Sequence, residues 1–179
     1  MSSIKTIPTQ RLVLREFSLA DAPEVQRLAG DWRVAKTTLA IPHPYPDGAA
    51  ESWISTHRQR LEEERAVILA VTLGGALIGC VGVEKYGDGS GRAELGYWVG
   101  VPWWGKGYCT EAVAAVVHEL PNILPGVREV VAHYMLENPA SGRVMEKVGM
   151  KKADAARTDF GGRCAGKPVG CYSLDFPLS

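Results

Sequence analysis

The chain has no surplus of either charge: twenty lysine and arginine residues balance twenty aspartate and glutamate residues over 179 positions. Without a basic excess, nothing at whole-chain level favours nucleic acid or an anionic membrane, so any anion must be held by local features. Long apolar runs are missing too. The opening stretch MSSIKTIPTQRLVLREF has no apolar core of signal-peptide length, and later runs are far too short to span a bilayer, which reads as a cytoplasmic protein. Cysteine is sparse: Cys80, Cys109, Cys164 and Cys171 form no CxxC, and no His-x-x-x-His spacing accompanies them, so no metal is expected. In an intracellular chain the four read as small buried residues, with pairing of Cys164 and Cys171 across a hairpin left open. Repeats, linkers and low-complexity tracts are likewise absent. With 46% apolar residues, positions 1–179 read as one globular domain with a sizeable core.

What is present alternates between strand and helix patterns. RLVLREF at 11–17 reads as a strand, and Ser18 with Asp21 three places on resembles a capping box that opens a helix running to about Gly30. Residues 32–48 are irregular and rich in proline and aromatics; Asp47 is then the expected cap of a second helix with Ala50, Trp53, Ile54, His57 and Leu61 on one face. AVILAVTL and ALIGCVGV, separated by Gly74-Gly75, read as a β-hairpin. A GDGSG turn leads to a strand at 92–100, and the helix after it, with Val113, Val116, Val117 and Leu120 at helical spacing, is expected to end at Pro121. A strand at 128–136 precedes a helix punctuated by Asn138 as N-cap, Pro139 and Gly149, and two more strands are expected near 152–158 and 168–176. The sum is a mixed α/β layer structure with too few alternating βα units for a Rossmann or barrel fold.

The chemically informative stretch is ELGYWVGVPWWGKGYCTEA, residues 94–112. A strand ends near Gly100, Gly105 and Gly107 occupy the turn, and a helix starts at once, so unpaired backbone N–H groups and the positive helix end converge on one point. That makes an anion site, with Lys106 adding charge and the glycines permitting close approach. Gly100-x-x-x-x-Gly105-Lys106 also matches seven positions of a P-loop, but the eighth is Gly107 rather than the magnesium-binding Ser or Thr, and Pro102-Trp103-Trp104 is bulky where a phosphate must be wrapped.

The segment Trp104-Gly105-Lys106-Gly107-Tyr108-Cys109 resembles the pyrophosphate loop of the GNAT superfamily of N-acetyltransferases, Arg/Gln-x-x-Gly-x-Gly/Ala, with Trp104 and Cys109 as departures. A YWGKGY-type loop followed by Thr-Glu-Ala is similar to the branch of ribosomal-protein N-terminal acetyltransferases. Asn138-Pro139-Ala140-Ser141, Glu146-Lys147 and Gly149-Met150 resemble that family's second motif, and RLVLREF and SWI at 52–54 fit the same branch. The resemblance implies a GNAT-like twisted sheet of about seven strands and about four helices, splayed between the fourth strand (92–100) and the fifth (128–136). It also implies acetyl-coenzyme A as cosubstrate: the backbone of Val99, Gly100 and Val101 along the pantetheine arm, Trp104 to Cys109 at the pyrophosphate, and Asn138 from the other side.

An acceptor amine must be neutral to react. A peptide α-amine is roughly one-seventh neutral at pH 7, a lysine amine only about one part in 2,500, so a base matters more for lysine. The resemblance places Glu94 as that base; its plainer reading is a strand carboxylate paired with Arg92 or Lys85. Ser141, in the first turn after Asn138, is the candidate whose hydroxyl would reach the sulfur; its plainer reading is a helix-start serine. The superfamily's acid is commonly a tyrosine where this chain has Met145, with Tyr134 as a substitute or simply a core aromatic. Trp32, His43 and Tyr45, with Trp53, are the acceptor-side candidates, and His118 and His133 read as structural. The expected function is acetyl transfer to a peptide N-terminus or small amine. An antibiotic or polyamine acetyltransferase is the alternative enzyme, disfavoured because Asp31, Asp47 and Glu51 are the only acids near the acceptor segment. A coenzyme A-binding sensor without turnover is the alternative from another class, and a homodimer is one option for the assembly.

Overall fold

The two apolar runs flanking Gly74-Gly75 form the middle of the sheet. In the computed structural model, which describes residues 4–154 and 165–176, they are β3 (Ala66–Leu73) and β4 (Ala76–Lys85). Both turn glycines have positive φ, 57° and 86°, the geometry that matches a two-residue turn to strand twist. Before the hairpin come β1 (Ile7–Pro8), β2 (Val13–Glu16), α1 (Ala22–Ala29), α2 (Trp32–Ala35), α3 (Ala49–Ser55) and α4 (His57–Glu62). After it come β5 (Arg92–Val99), α5 (Tyr108–Ile123), β6 (Glu129–Met135), α6 (Pro139–Lys147), β7 (Lys151–Ala153) and β8 (Val169–Asp175).

The strands make one mixed sheet in the order β1-β2-β3-β4-β5-β6-β8-β7, antiparallel except for β5 with β6. An added edge strand, Ile7–Pro8, brings the count to eight, so the pair expected as fourth and fifth is β5 and β6. Alternation along each strand divides the apolar residues between two faces. The larger core includes Leu14, Leu69, Val83, Leu95, Val113, Leu120 and Met145, joining the sheet to α5 and α6. The smaller one, with Val25, Ala29, Ala50, Ile54 and Ala70, joins the other face to α1 and α3, and Tyr45, Trp53 and Trp98 pack against it. Among the described residues no helix is long and apolar enough to cross a membrane.

Three local expectations give way to longer-range contacts. Pro121 does not end its helix: α5 continues to Ile123, because Leu120 and Leu124 on either side are wholly buried and hold the last turn in the core. Gly48, not Asp47, is the N-cap of α3, since the Asp47 carboxylate accepts a hydrogen bond from Gln26 Nε2 at 2.8 Å instead. The second helix is broken near Thr56 into α3 and α4 rather than continuous. The Ser18–Asp21 capping pair is formed, Ser18 N–H donating to Asp21 Oδ2 at 2.8 Å, and it opens a short 3₁₀ turn ahead of α1. Cys164 and most of the strand expected at 152–158 lie outside the described residues, while Cys171 is buried on β8.

His57 is packed edge-on against Trp53, ring centroids 4.3 Å apart, and against Phe17 at 5.5 Å. Neither ring nitrogen has a hydrogen-bond partner, and burial, with Arg60 nearby, pushes its pKa down to about 4. The folded value lies below that of the unfolded chain, roughly 6.5, so this contribution to stability is complete above that pH and is lost as pH falls toward 4. Replacing the ring by an uncharged one of similar shape, His57→Phe, should raise Tm over wild type by a few degrees at pH 5, for roughly 1–2 kcal/mol after allowing for partial exposure, and change it little at pH 8. Parallel Tm-against-pH curves for the two proteins would rule this out.

Candidate functional site

The strand β5 runs beside β4 from Ala93, opposite Lys85, to Val99, opposite Gly79, but it meets β6 only at Arg92, Ala93 and Glu94. From there β6 follows β8 as far as Met135, and β5 stays with β4. The two strands therefore part just beyond Glu94 and Val131, where the splay was expected. Gly100 N–H donates to Ile78 O at 2.9 Å, which turns the N–H and C=O of Val99 toward the gap. That carbonyl already accepts the indole N–H of Trp104 at 2.6 Å, and the carbonyls of Gly100 and Val101 accept the N–H groups of Trp103 and Trp104. Of the strand's expected pantetheine contacts, Gly100 N–H is thus committed to the sheet, the carbonyls of Val99 and Val101 are taken by Trp104, and the Val99 N–H is the strand group left facing the gap.

At the far end of the gap lies the glycine loop. Gly105 and Gly107 have φ of 72° and 81°, and Gly107 is the N-cap of α5, so the first N–H groups of a 16-residue helix open there. A side chain at Gly105 would meet nothing within 4 Å, leaving space before the loop. Lys106 is exposed, and its carbonyl accepts Arg11 Nη1 at 3.0 Å. Arg11 also pairs with Glu111 at 2.7 Å and lies over the Tyr108 ring, 4.4 Å from its centroid. It adds a second cation beside the loop that local sequence reading missed, because it comes from β2's approach some hundred residues away. Cys109 packs against the main core, where burial pushes its thiol up to about 12, so its backbone is what it offers the loop.

Where the strands part, one cavity of about 830 Å³ is lined by Glu94, Tyr97, His133, Tyr134 and Ser141 together. Glu94 pairs with neither Arg92, which is bound to Glu129 at 2.7 Å, nor Lys85, which donates to Pro125 O. It faces His133 instead: Glu94 Oε1 is 3.2 Å from His133 Nδ1, and the His133 side chain is fully buried. Across the gap, Tyr97 OH donates to Ser141 O at 2.9 Å and lies 3.0 Å from Ser141 Oγ. Burial pushes the Tyr97 phenol well above its ordinary pKa. His133 and Tyr97 carry no local signal of this role, since each is one residue in an apolar strand; only the register of β5 on β6 and the start of α6 bring them in. Met145 is 1% exposed in the core, so no acid stands there. Tyr134 is wedged between Gly142 and Gly170, where an added Cβ would come within 3 Å of its ring.

The other expected residues are placed differently from one another. Asn138 is the N-cap residue of α6, as expected, with Pro139 opening the helix, but its side chain makes no capping bond; Nδ2 donates to Thr37 O at 3.3 Å and clasps the irregular segment to the head of α6. Tyr45 and Trp53 line the cavity. Trp32 and His43 pack on each other, centroids 4.9 Å apart, and neither is among its lining residues. Glu84 and Glu94 face each other across β4 and β5, with Arg60 ion-paired to Glu84.

Comparison with known proteins bears on the family and the fold. The model of the acetyltransferase (GNAT) domain matches residues 11–151. An uncharacterized N-acetyltransferase, YnaD, of Bacillus subtilis (strain 168) is 30% identical over 152 residues, 82% of each chain. Two solved structures share the fold. The ribosomal L7/L12 alpha-N-protein acetyltransferase RimL, in complex with coenzyme A, aligns with TM-score 0.82 at 15% identity over 96% of this chain and 98% of its own. The microcin C7 self immunity acetyltransferase MccE, in complex with acetyl-CoA and AMP, aligns with TM-score 0.80 at 18% identity over 93% of each chain.

If Arg11 tethers the glycine loop, Arg11→Ala should loosen the loop without unfolding the sheet. Amide hydrogen exchange at residues 105–110 is expected to speed up roughly five-fold, about 1 kcal/mol for a partly exposed charge network, while the β3–β4 hairpin is unchanged. Equal exchange in the two proteins would mean that the loop is held by its own turn.

Proposed function

The chain belongs to the GNAT acetyltransferase family, and from that membership we propose that it transfers an acetyl group from acetyl-coenzyme A to a primary amine, on a peptide N-terminus or a small molecule, by direct attack. The observation that carries the reading is the meeting, in one cavity where β5 and β6 part, of a carboxylate–imidazole pair and a hydroxyl pair from opposite sides of the gap. The residues present suit the cosubstrate. The gap-facing backbone N–H of Val99 suits an amide-bearing arm, with Gly100 and Val101 beside it, and the loop of Gly105 and Gly107 at a helix N-terminus suits a pyrophosphate.

In this reading Glu94, steadied by His133, takes the proton released as the amine nitrogen bonds to the acetyl carbon and the carbon–sulfur bond breaks. Ser141, held by Tyr97, stabilises the electron pair that leaves on sulfur. The acceptor enters over Tyr45 and Trp53. The charged groups lining the cavity are Arg60, Lys85, Glu84 and Glu94, two of each sign, which favours a monoamine over a polycation.

Three proteins test this. Acetyl-coenzyme A should raise the Tm of wild type, ATP with magnesium should not, and Gly107→Val should lose the shift, because a branched side chain at φ 81° strains the loop where phosphate must meet backbone. Glu94→Gln should lower kcat by roughly 10² to 10⁴ near neutral pH with cosubstrate affinity kept, and recover part of the loss as pH rises toward the acceptor's own pKa. A Glu94→Gln enzyme equal to wild type across the neutral range would remove Glu94 from the chemistry. Cosubstrate binding with no turnover on any amine would favour a sensor.

A further inference from the structure

Two glycines sit directly opposite each other in the middle of the sheet, Gly82 on β4 and Gly96 on β5. Glycine within a strand costs roughly 0.5–1 kcal/mol against alanine and marks a bulge or a close approach by another group. Neither explanation is met by the fold here. The ladder between β4 and β5 is regular through both residues, and neither has positive φ. A Cβ on Gly96 would meet nothing within 4 Å, and one on Gly82 would make ordinary contact with Ile68. The protein itself does not require these glycines, and both line the cavity.

Cross-strand partners share a face, so the residues around this pair can be placed in rows. On one side of it stand Glu84 and Glu94; on the other stand Cys80 and Trp98. Four residue-to-residue rises of extended strand carry Glu94 to Trp98, about 13 Å, and on this face the middle of that length is bare backbone. The far end is aromatic and apolar: Tyr45, Trp53 and Trp98 pack with the smaller core there, and the Cys80 thiol is held protonated by burial. Arg60 occupies Glu84, leaving Glu94 as the carboxylate that faces the reacting centre.

We propose that the Gly82–Gly96 floor is a slot for the body of the acceptor, and that the acceptor is a primary amine carried on a flat, apolar, aromatic-sized group, its nitrogen at Glu94 and its ring over the two glycines toward Trp98. This rests on the acetyl-transfer reading for the direction of the amine; the slot itself does not. A free arylalkylamine and a peptide with an N-terminal aromatic residue present the same chemistry. A small hydrophilic N-terminus leaves the floor uncovered, and a polycation finds no surplus of acid.

The test uses wild type and Gly96→Val, a substitution that suits a strand and has open space at its Cβ. Phenethylamine, a Phe-initiated peptide, a Ser-initiated peptide and spermidine are offered with acetyl-coenzyme A, with thiol release read for turnover. Calorimetry reads phenethylamine binding to the coenzyme A-loaded protein. The expected result is a kcat/KM for phenethylamine or the Phe-initiated peptide at least about tenfold above the other two, with the better of these naming the source. Gly96→Val should weaken phenethylamine binding at least about tenfold while leaving Tm at or above the wild-type value and keeping the shift given by coenzyme A. Preferred acetylation of spermidine or the Ser-initiated peptide, or a Gly96→Val protein that binds phenethylamine as wild type does, overturns the slot and leaves acetyl transfer standing. Phenethylamine binding lost in Gly96→Val with no turnover on any amine upholds the slot and overturns the catalytic reading. Absence of both binding and turnover overturns both.

Discussion

The three-residue ladder between β5 and β6 is the constraint on which the rest of the site depends. Each strand has a full-length partner on its outer edge, β4 for one and β8 for the other, and these partners diverge. After Glu94 and Val131 the inner edges can no longer reach each other, so backbone groups face an open wedge inside the molecule. Such groups are costly if left dry and unpaired. The fold meets part of the demand itself, with the Trp104 indole on Val99 O. What remains is an edge able to accept an extended chain of amides as a neighbouring strand would.

The wedge also brings together groups that neither face of the sheet could assemble alone. Glu94, Gly96 and Trp98 lie toward the smaller core with the irregular segment, whereas Leu95, Tyr97 and Val99 lie toward α5 and α6. In an unbroken sheet the two sets would be separated by backbone and by the next strand's side chains. At the parting, His133 is fully buried beside Glu94, while Tyr97 reaches Ser141 at the head of α6. On the proposed function, an amine and a leaving sulfur are handled from opposite sides of the acetyl group, which is what this division of residues provides.

Those features that depend on local chemistry were legible in the sequence, and those that depend on register were not. The hairpin at Gly74-Gly75, the glycine loop before α5 and the positions of both parted strands follow from short-range patterns. Asp47 and Pro121 follow the same local logic and behave otherwise, and Asn138 takes its N-cap position but not its side-chain bond, because Gln26, the buried Leu120–Leu124 pair and Thr37 compete successfully for them. A capping preference of about 1 kcal/mol is within reach of one cross-chain hydrogen bond. His133 and Tyr97 were beyond such reading for another reason. Their partners lie 39 and 44 residues away, across a helix and a parallel pairing that begins and ends within three residues. The bare floor is hidden likewise: Gly82 and Gly96 are unremarkable until β4 is laid antiparallel on β5.

On the proposed function, the hydroxyl pair limits what kind of help the leaving group can receive. Tyr97 has one proton, and its 2.9 Å bond to Ser141 O uses it; the 3.0 Å contact with Ser141 Oγ is then one in which serine donates and tyrosine accepts. Burial holds the phenol neutral, so Tyr97 does not act as a base toward Ser141 but sets the direction of its hydroxyl. When a thiolate forms nearby, the serine hydrogen has a stronger acceptor than a neutral phenol oxygen and turns toward it. Full transfer is unfavourable, because a thiol's pKa, roughly 8.5, is far below that of an aliphatic alcohol. The gain is therefore a charge-assisted hydrogen bond to sulfur, of about 1.5–3 kcal/mol, with the proton itself supplied by solvent after departure. On the proposed function, a chain whose Met145 is buried in the core and offers no acid loses little by this arrangement, since a thiolate needs stabilising more than it needs protonating.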